Sequence, residues 1–130
     1  MILQTTLSLA AAAAIINLWL GIRIGQLRHQ HGVSIGDGGN EQLQRRMRAQ
    51  LNFAEHVPVV LVLLGLIEAT GKGGQWLAPV GAIYMLGRVA HALGMDGGSL
   101  EKGRMVGTLL NMLITLGLAV VAVLIALQVM

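Results

Sequence analysis

Residues 45–65 read RRMRAQLNFAEHVPVVLVLLG, a run in which charged and amide side chains pass without a break into hydrocarbon. On a helix advancing about 100° per residue, Arg45, Arg48, Asn52 and Glu55 fall on one face roughly 80° wide. They make a single polar stripe. An arginine or glutamate at the centre of a bilayer costs about 2.5–3.5 kcal/mol on insertion scales, so such residues face a bundle interior or a pocket. The stripe therefore marks a functional site, or else Arg48 and Glu55 satisfy each other and lock helices together.

Composition says that the hydrocarbon belongs to a membrane. Of 130 residues, 55% are hydrophobic and 12% charged, outside the range of soluble domains. At about 20 apolar residues per span, there is room for four spans with short connections. The expected fold is an all-α membrane protein, a four-transmembrane-helix bundle of up-down topology. It fills residues 1–130 as one domain, with helices at about 3–27, 41–70, 76–95 and 104–130.

Several function classes drop out. Nine Lys and Arg against six Asp and Glu give a basic chain, but these residues are few and sit at the ends of apolar segments, so no nucleic-acid partner is expected. The absence of cysteine removes disulfides, thiolate metal sites and a protein thiol nucleophile. Any thiol chemistry must use a thiol carried by a ligand. His29 and His31 lack a third ligand in a fixed element, and no metal site is expected. The glycine-rich residues 36–39 and 71–74 lack the Lys-Ser/Thr of a phosphate-binding loop.

Working outward along the chain, the first apolar segment has no preceding Lys or Arg and reads as a retained helix, with an alanine run at residues 10–14 and one amide, Asn17. Residues 28–40 read as a polar connection, with Asn40 and Glu41 as a capping amide and a first-turn acid. The second helix is about 45 Å long against a hydrocarbon core of about 30 Å, so its first turns protrude. Pro58 frees the carbonyl of Ala54 and predicts a local loosening. Glu68 reads as an interfacial residue. In the third helix Trp76 suits the interface, and Tyr84, Arg88 and His91 share a face. Ser99 is a candidate cap for the fourth helix, Asn111 and Thr115 are candidate interhelical hydrogen bonders, and Arg104 stands at that helix's mouth.

Alternating helices bring Arg23, Arg28, Arg45, Arg46, Arg48, Arg88, Lys102 and Arg104, eight of the nine basic residues, to one side. The positive-inside rule makes that side cytoplasmic and both termini external. The stripe, Arg88 with His91, and Arg104 then coincide in depth and can line one cationic cavity. Such a cavity suits a small zwitterion whose carboxylates pair with arginine and whose ammonium pairs with Glu55. Glutathione meets that description, and arginine beside its sulfur would favour the thiolate against a free thiol pKa of about 8.5. The chemistry permits glutathione without singling it out.

The segment RAQLNFAEHVP, residues 48–58, resembles the MAPEG family, the membrane-associated proteins in eicosanoid and glutathione metabolism, in the pattern R-A-Q-x-N-x-x-E-x-x-P of its leukotriene C4 synthase branch. Arg88-Val89-Ala90-His91, with Arg104 beyond it, resembles the prostaglandin E synthase branch. The loop SIGDGGN, residues 34–40, is similar to a bacterial branch, which implies a bacterial inner membrane. The resemblance spans essentially the whole chain. It implies a homotrimer with glutathione bound between neighbouring subunits. Arg48, Gln50, Asn52 and Glu55 would hold it from helix two, Arg28 from a neighbour's first helix, and His56, Arg88 and His91 alongside. Arg104 would sit at the sulfur as the catalytic residue. The pattern departs at His56, where a tyrosine is common, at Met95, an aromatic position, and at Met105, a hydroxyl position in the prostaglandin branch.

The leading expectation is a glutathione-dependent membrane enzyme of transferase or peroxidase type, whose thiolate attacks a lipophilic electrophile arriving from membrane lipid. Two other classes compete. One is a small proton-coupled transporter built on Glu55, although arginines beside that acid would repel cationic cargo. The other is a non-catalytic scaffold of the same family.

Overall fold

The computed structural model describes residues 2–130. Four helices carry the chain: α1 (Gln4–His31), α2 (Glu41–Ala69), α3 (Leu77–Met95) and α4 (Lys102–Ala126), with a 3-10 turn at Gly98–Leu100 before α4. Among the described residues there is no strand. All four helices are long and apolar enough to cross a membrane, so this is an integral membrane protein with an all-α, four-helix fold.

The helix ends follow local chemistry. Asn40 accepts the backbone N–H of Leu43 at 2.8 Å and starts α2 as expected, and α2 continues through Pro58 to Ala69. The first helix runs a turn further than its hydropathy suggests, so Arg28, His29 and His31 are helical and not part of a loop. Nothing breaks the helix before Gly32, which takes φ 66° and returns its N–H to the Arg28 carbonyl. Three basic residues in that last turn also complement the helix dipole. At α4 the expected Ser99 cap is not used: Ser99 lies within the 3-10 turn, and Glu101 precedes the helix without a side-chain cap.

Helix α3 is the centre of the bundle. Half of its apolar window is buried, against 11% for α4, which lies on one side. Helices α1 and α2 pair with each other, α2 and α3 each touch all the others, and α1 and α4 do not meet. The core is filled by Leu20, Phe53, Val57, Val60, Leu64, Leu77, Tyr84 and Met85.

Two carboxylates fasten the helices at opposite ends. At the end that carries most of the arginines, Asp96 pairs with Arg23 of α1 and, at 3.4 Å, with Arg46 of α2. Arg46 also donates to the Arg23 carbonyl at 2.9 Å, and the Arg23 guanidinium lies 4.8 Å from the Trp19 ring. At the other end Glu68, beyond its expected interfacial role, accepts the backbone N–H groups of Thr5 and Thr6, each at 2.9 Å. A side chain of α2 thus caps the free N–H groups that open α1.

Candidate functional site

Helices α3 and α4 approach closely because glycine lines both. A Cβ on Gly107 would come within 2.5 Å of the Gly87 carbonyl and of the His91 Cβ, and Cβ atoms on Gly94 or Gly103 would run into the facing backbone. Gly103 and Gly107 form a small-xxx-small seam of the kind that lets membrane helices touch. The seam brings His91 and the first turns of α4 together. Alongside it runs a buried polar ladder. Tyr84 donates to Asn111 Oδ1 at 2.8 Å, and Arg88 donates from Nη1 to Asn52 Oδ1 at 2.5 Å and from Nη2 to the Gly107 carbonyl at 3.2 Å. Asn111 is thus an interhelical bonder, whereas Thr115 makes no side-chain hydrogen bond among the described residues.

In front of the ladder lies a polar cavity of about 160 Å³. Arg48, Asn52 and Glu55 enter it from α2, His91 and Met95 from α3, and Arg104 and Thr108 from α4. Apart from Leu51, which also lines it, the lining residues on each helix stand three or four apart, so one face of each is presented. His91 is buried and Asn52 half-buried, while Arg48, Glu55 and Arg104 are exposed. Arg48 and Glu55 do not pair with each other, and none of Arg48, Glu55 and Arg104 has an ion-pair partner among the described residues. Their charges are available to a ligand. Arg45, at the head of the stripe, is instead engaged by Glu41 on the surface at 2.9 Å.

A second, larger groove of about 760 Å³ lies between α1 and α2. It takes in Asn17, Arg28, Asp37, Arg48 and Gln50. Arg28 reaches the Gly36 carbonyl at 2.6 Å and so holds the first connection over the groove, and Gln50 donates to Asn17 Oδ1 at 3.4 Å. Arg48 borders both spaces. A third groove, of about 540 Å³, runs along α4 past Lys102, Met105 and Leu109 and shares Arg104 and Thr108 with the polar cavity.

The residues singled out by sequence thus divide into groups. Arg48, Asn52, Glu55, His91 and Arg104 line one cavity, Arg28 and Gln50 line the α1/α2 groove, and His56 lines neither. Arg88 is buried behind Asn52 and off the cavity wall. Thr108 was missed, although it stands one turn beyond Arg104, and its hydroxyl bonds the Arg104 carbonyl at 2.8 Å. Asp37 and Asn17 were also missed as groove residues. Their signal was weak, since a lone turn aspartate and a lone amide each have ordinary structural uses. Among the described residues no cluster of His, Asp and Glu has the makings of a metal site.

Comparison with known proteins extends the picture beyond this chain. The inner membrane protein YecN of Escherichia coli strain K12 is 30% identical over 85 residues, which is 65% of this chain and 65% of YecN. The chain thus aligns with slightly less than two thirds of that relative's length. YecN of the strain CFT073 matches to the same extent. The protein sll1147 of Synechocystis sp. is 35% identical over 112 residues, 84% of this chain and 81% of its own. The sequence model of the MAPEG family matches residues 6–124, nearly the entire length over which the four helices are built. The chain belongs to the MAPEG family.

Proposed function

We propose that this protein is a glutathione-dependent membrane enzyme of transferase or peroxidase type. The observation that carries the reading is the convergence of Arg48, Asn52, Glu55, His91 and Arg104, from three helices, on one cavity whose exposed charges are not neutralised within the chain. That donor set fits a zwitterion. Arg48 can clamp a carboxylate in bidentate fashion, Glu55 can take an ammonium, Asn52 can add an amide hydrogen bond, and His91 can hydrogen-bond a peptide group. Glutathione, when bound, supplies the thiol whose thiolate attacks a lipophilic electrophile. The role of Arg104 is to hold a positive charge and N–H donors beside the sulfur, which favours the thiolate over the thiol.

The cavity alone, at about 160 Å³, is smaller than the roughly 300–1,000 Å³ of ordinary ligand pockets. A site completed by a second copy resolves the shortfall. Arg28 and Gln50 sit in the α1/α2 groove, a separate face of the same chain, and Arg48 lies between the two spaces. In a homotrimer each α1/α2 groove would meet the polar cavity of a neighbour, so Arg28 and Gln50 would reach a ligand held by another subunit's Arg48, Asn52 and Glu55. The groove along α4, which shares Arg104 and Thr108 with the cavity, offers an electrophile dissolved in lipid a path to the sulfur. By the positive-inside rule the site faces the cytoplasm, where a soluble thiol has access, and both termini face outward.

The test is calorimetric titration of the detergent-solubilised protein with glutathione, with the thiolate followed by ultraviolet difference absorbance. Saturable binding is expected, lost with Glu55→Gln, and a thiolate signal lost with Arg104→Ala. No binding at millimolar glutathione would remove the reading.

A further inference from the structure

Arg88 is a buried cation without a buried anion. It is 3% exposed, and no carboxylate lies within 4.0 Å of it among the described residues. Its Nε has no hydrogen-bond partner. Its hydrogen-bond partners and ring neighbour are the Asn52 amide from α2, the Gly107 carbonyl from α4, and the Tyr84 ring of its own helix, 6.0 Å from Cζ. All are neutral. A guanidinium taken out of water in this way is held at a large desolvation cost unless an opposite charge compensates it.

The contact with Asn52 has a chemical consequence. A guanidinium carries donors only, so the part of the Asn52 side chain at 2.5 Å from Nη1 has to be the amide oxygen. The NH₂ group of the same amide is then turned away from Arg88. It donates to no protein group among the described residues, and Asn52 lines the polar cavity. An asparagine left to itself offers either a donor or an acceptor. Here the choice is already made.

We propose that Arg88 is a positioning residue: it locks the Asn52 amide so that the NH₂ group faces the cavity as an obligatory donor to an anionic group of the ligand. Its own uncompensated charge adds a positive field behind that donor. The cavity therefore accepts a carboxylate or thiolate at Asn52 and turns away a donor placed there. This rests on the function proposed above and names the group that Asn52 serves.

The test uses the full chain in detergent, with thermal unfolding and glutathione titration read side by side. Asn52→Asp sets a carboxylate against Arg88. The expected result is a rise in Tm together with at least a tenfold loss of glutathione affinity, because an acceptor-only side chain now faces the ligand's anion. In the Arg88→Met background the same substitution is expected to lower Tm, and Arg88→Lys, which keeps charge and donors, is expected to restore the rise. A merely structural Arg88 would move Tm and leave affinity alone. Glutathione bound by Asn52→Asp as tightly as by the unaltered chain would overturn the proposal, as would a Tm effect of the same sign with and without the Arg88 charge. Where Arg88→Met does not fold, glutathione affinity still decides: Asn52→Asp, alone or combined with Arg88→Lys, binding as tightly as the unaltered chain overturns the proposal. An unaltered chain that binds no glutathione is a different failure: it overturns the proposed function, and the donor role of Asn52 with it.

Discussion

Single side chains fasten this bundle at both ends, and two substitutions measure how firmly. Asp96 holds Arg23 and Arg46 at once, and its side chain keeps 24% of its exposure. Removing one partner of a fully buried ion pair costs about 3–5 kcal/mol, and partial exposure reduces that, so Asp96→Asn is expected to destabilise by about 2–3 kcal/mol in reversible unfolding. Glu68 accepts two backbone N–H groups of α1, and loss of a helix N-cap costs about 0.5–2 kcal/mol. Glu68→Ala should therefore cost about 1–2 kcal/mol, and hydrogen exchange should show faster opening confined to the first turn of α1. Exchange spread evenly along α1 would argue against a cap. Neither fastening could be read from sequence. Spacing along a helix brought Arg48, Asn52 and Glu55 to one face, because the 3.6-residue period is local. The partners of Asp96 lie 73 and 50 positions away and those of Glu68 63 and 62, and no local period reports them.

At the scale of elements, hydropathy found all four helices, since bilayer thickness dictates apolar length whatever the tertiary contacts. It said much less about how each helix is turned. In lipid the outward face and the packed face are both apolar, so the amphipathic signal that orients a soluble helix is weak. That is why Arg88, aligned with His91 by spacing, proved to lie behind Asn52 and off the cavity wall. The orienting device between α3 and α4 is instead the glycine seam, written in Gly87, Gly94, Gly103 and Gly107. Gly107→Ala places a Cβ 2.5 Å from a carbonyl oxygen and from the His91 Cβ, neither of which is a flexible chain end. Overpacking of this kind costs about 1–3 kcal/mol. The expected outcome is a loss of that size together with weakened ligand binding, because spreading the seam moves His91 away from Arg104. At Gly117, where a Cβ meets nothing within 4 Å, alanine is expected to be neutral or slightly stabilising by the same measurements.

Across the whole molecule the four helices form an open arrangement, with α1 and α4 out of contact and α4 covered on one side only. The exposed Leu109, Met112, Leu113, Leu116 and Val120 of α4 are left to lipid or to another copy. Orientation across the membrane can be tested directly, because a chain without cysteine accepts a single cysteine as a unique label site. A cysteine at position 130 should react with an impermeant maleimide added outside intact cells, and one at position 35 only after permeabilisation. The reverse pattern would overturn the positive-inside assignment.

The two carboxylate fastenings also give α1 a mechanical character. It is a beam about 42 Å long, at 1.5 Å per residue, pinned in its first turn by Glu68 and, about two turns short of its far end, at Arg23 by Asp96. Between the pins it rests on small or aliphatic side chains such as Leu9, Ala13 and Leu20, with one weak polar tie from Asn17 to Gln50. A beam held this way resists being pulled out or rolled, yet bows at mid-span under a sideways load. Thinning or thickening of the surrounding bilayer would load it there, and the bow would widen or narrow the groove that α1 shares with α2.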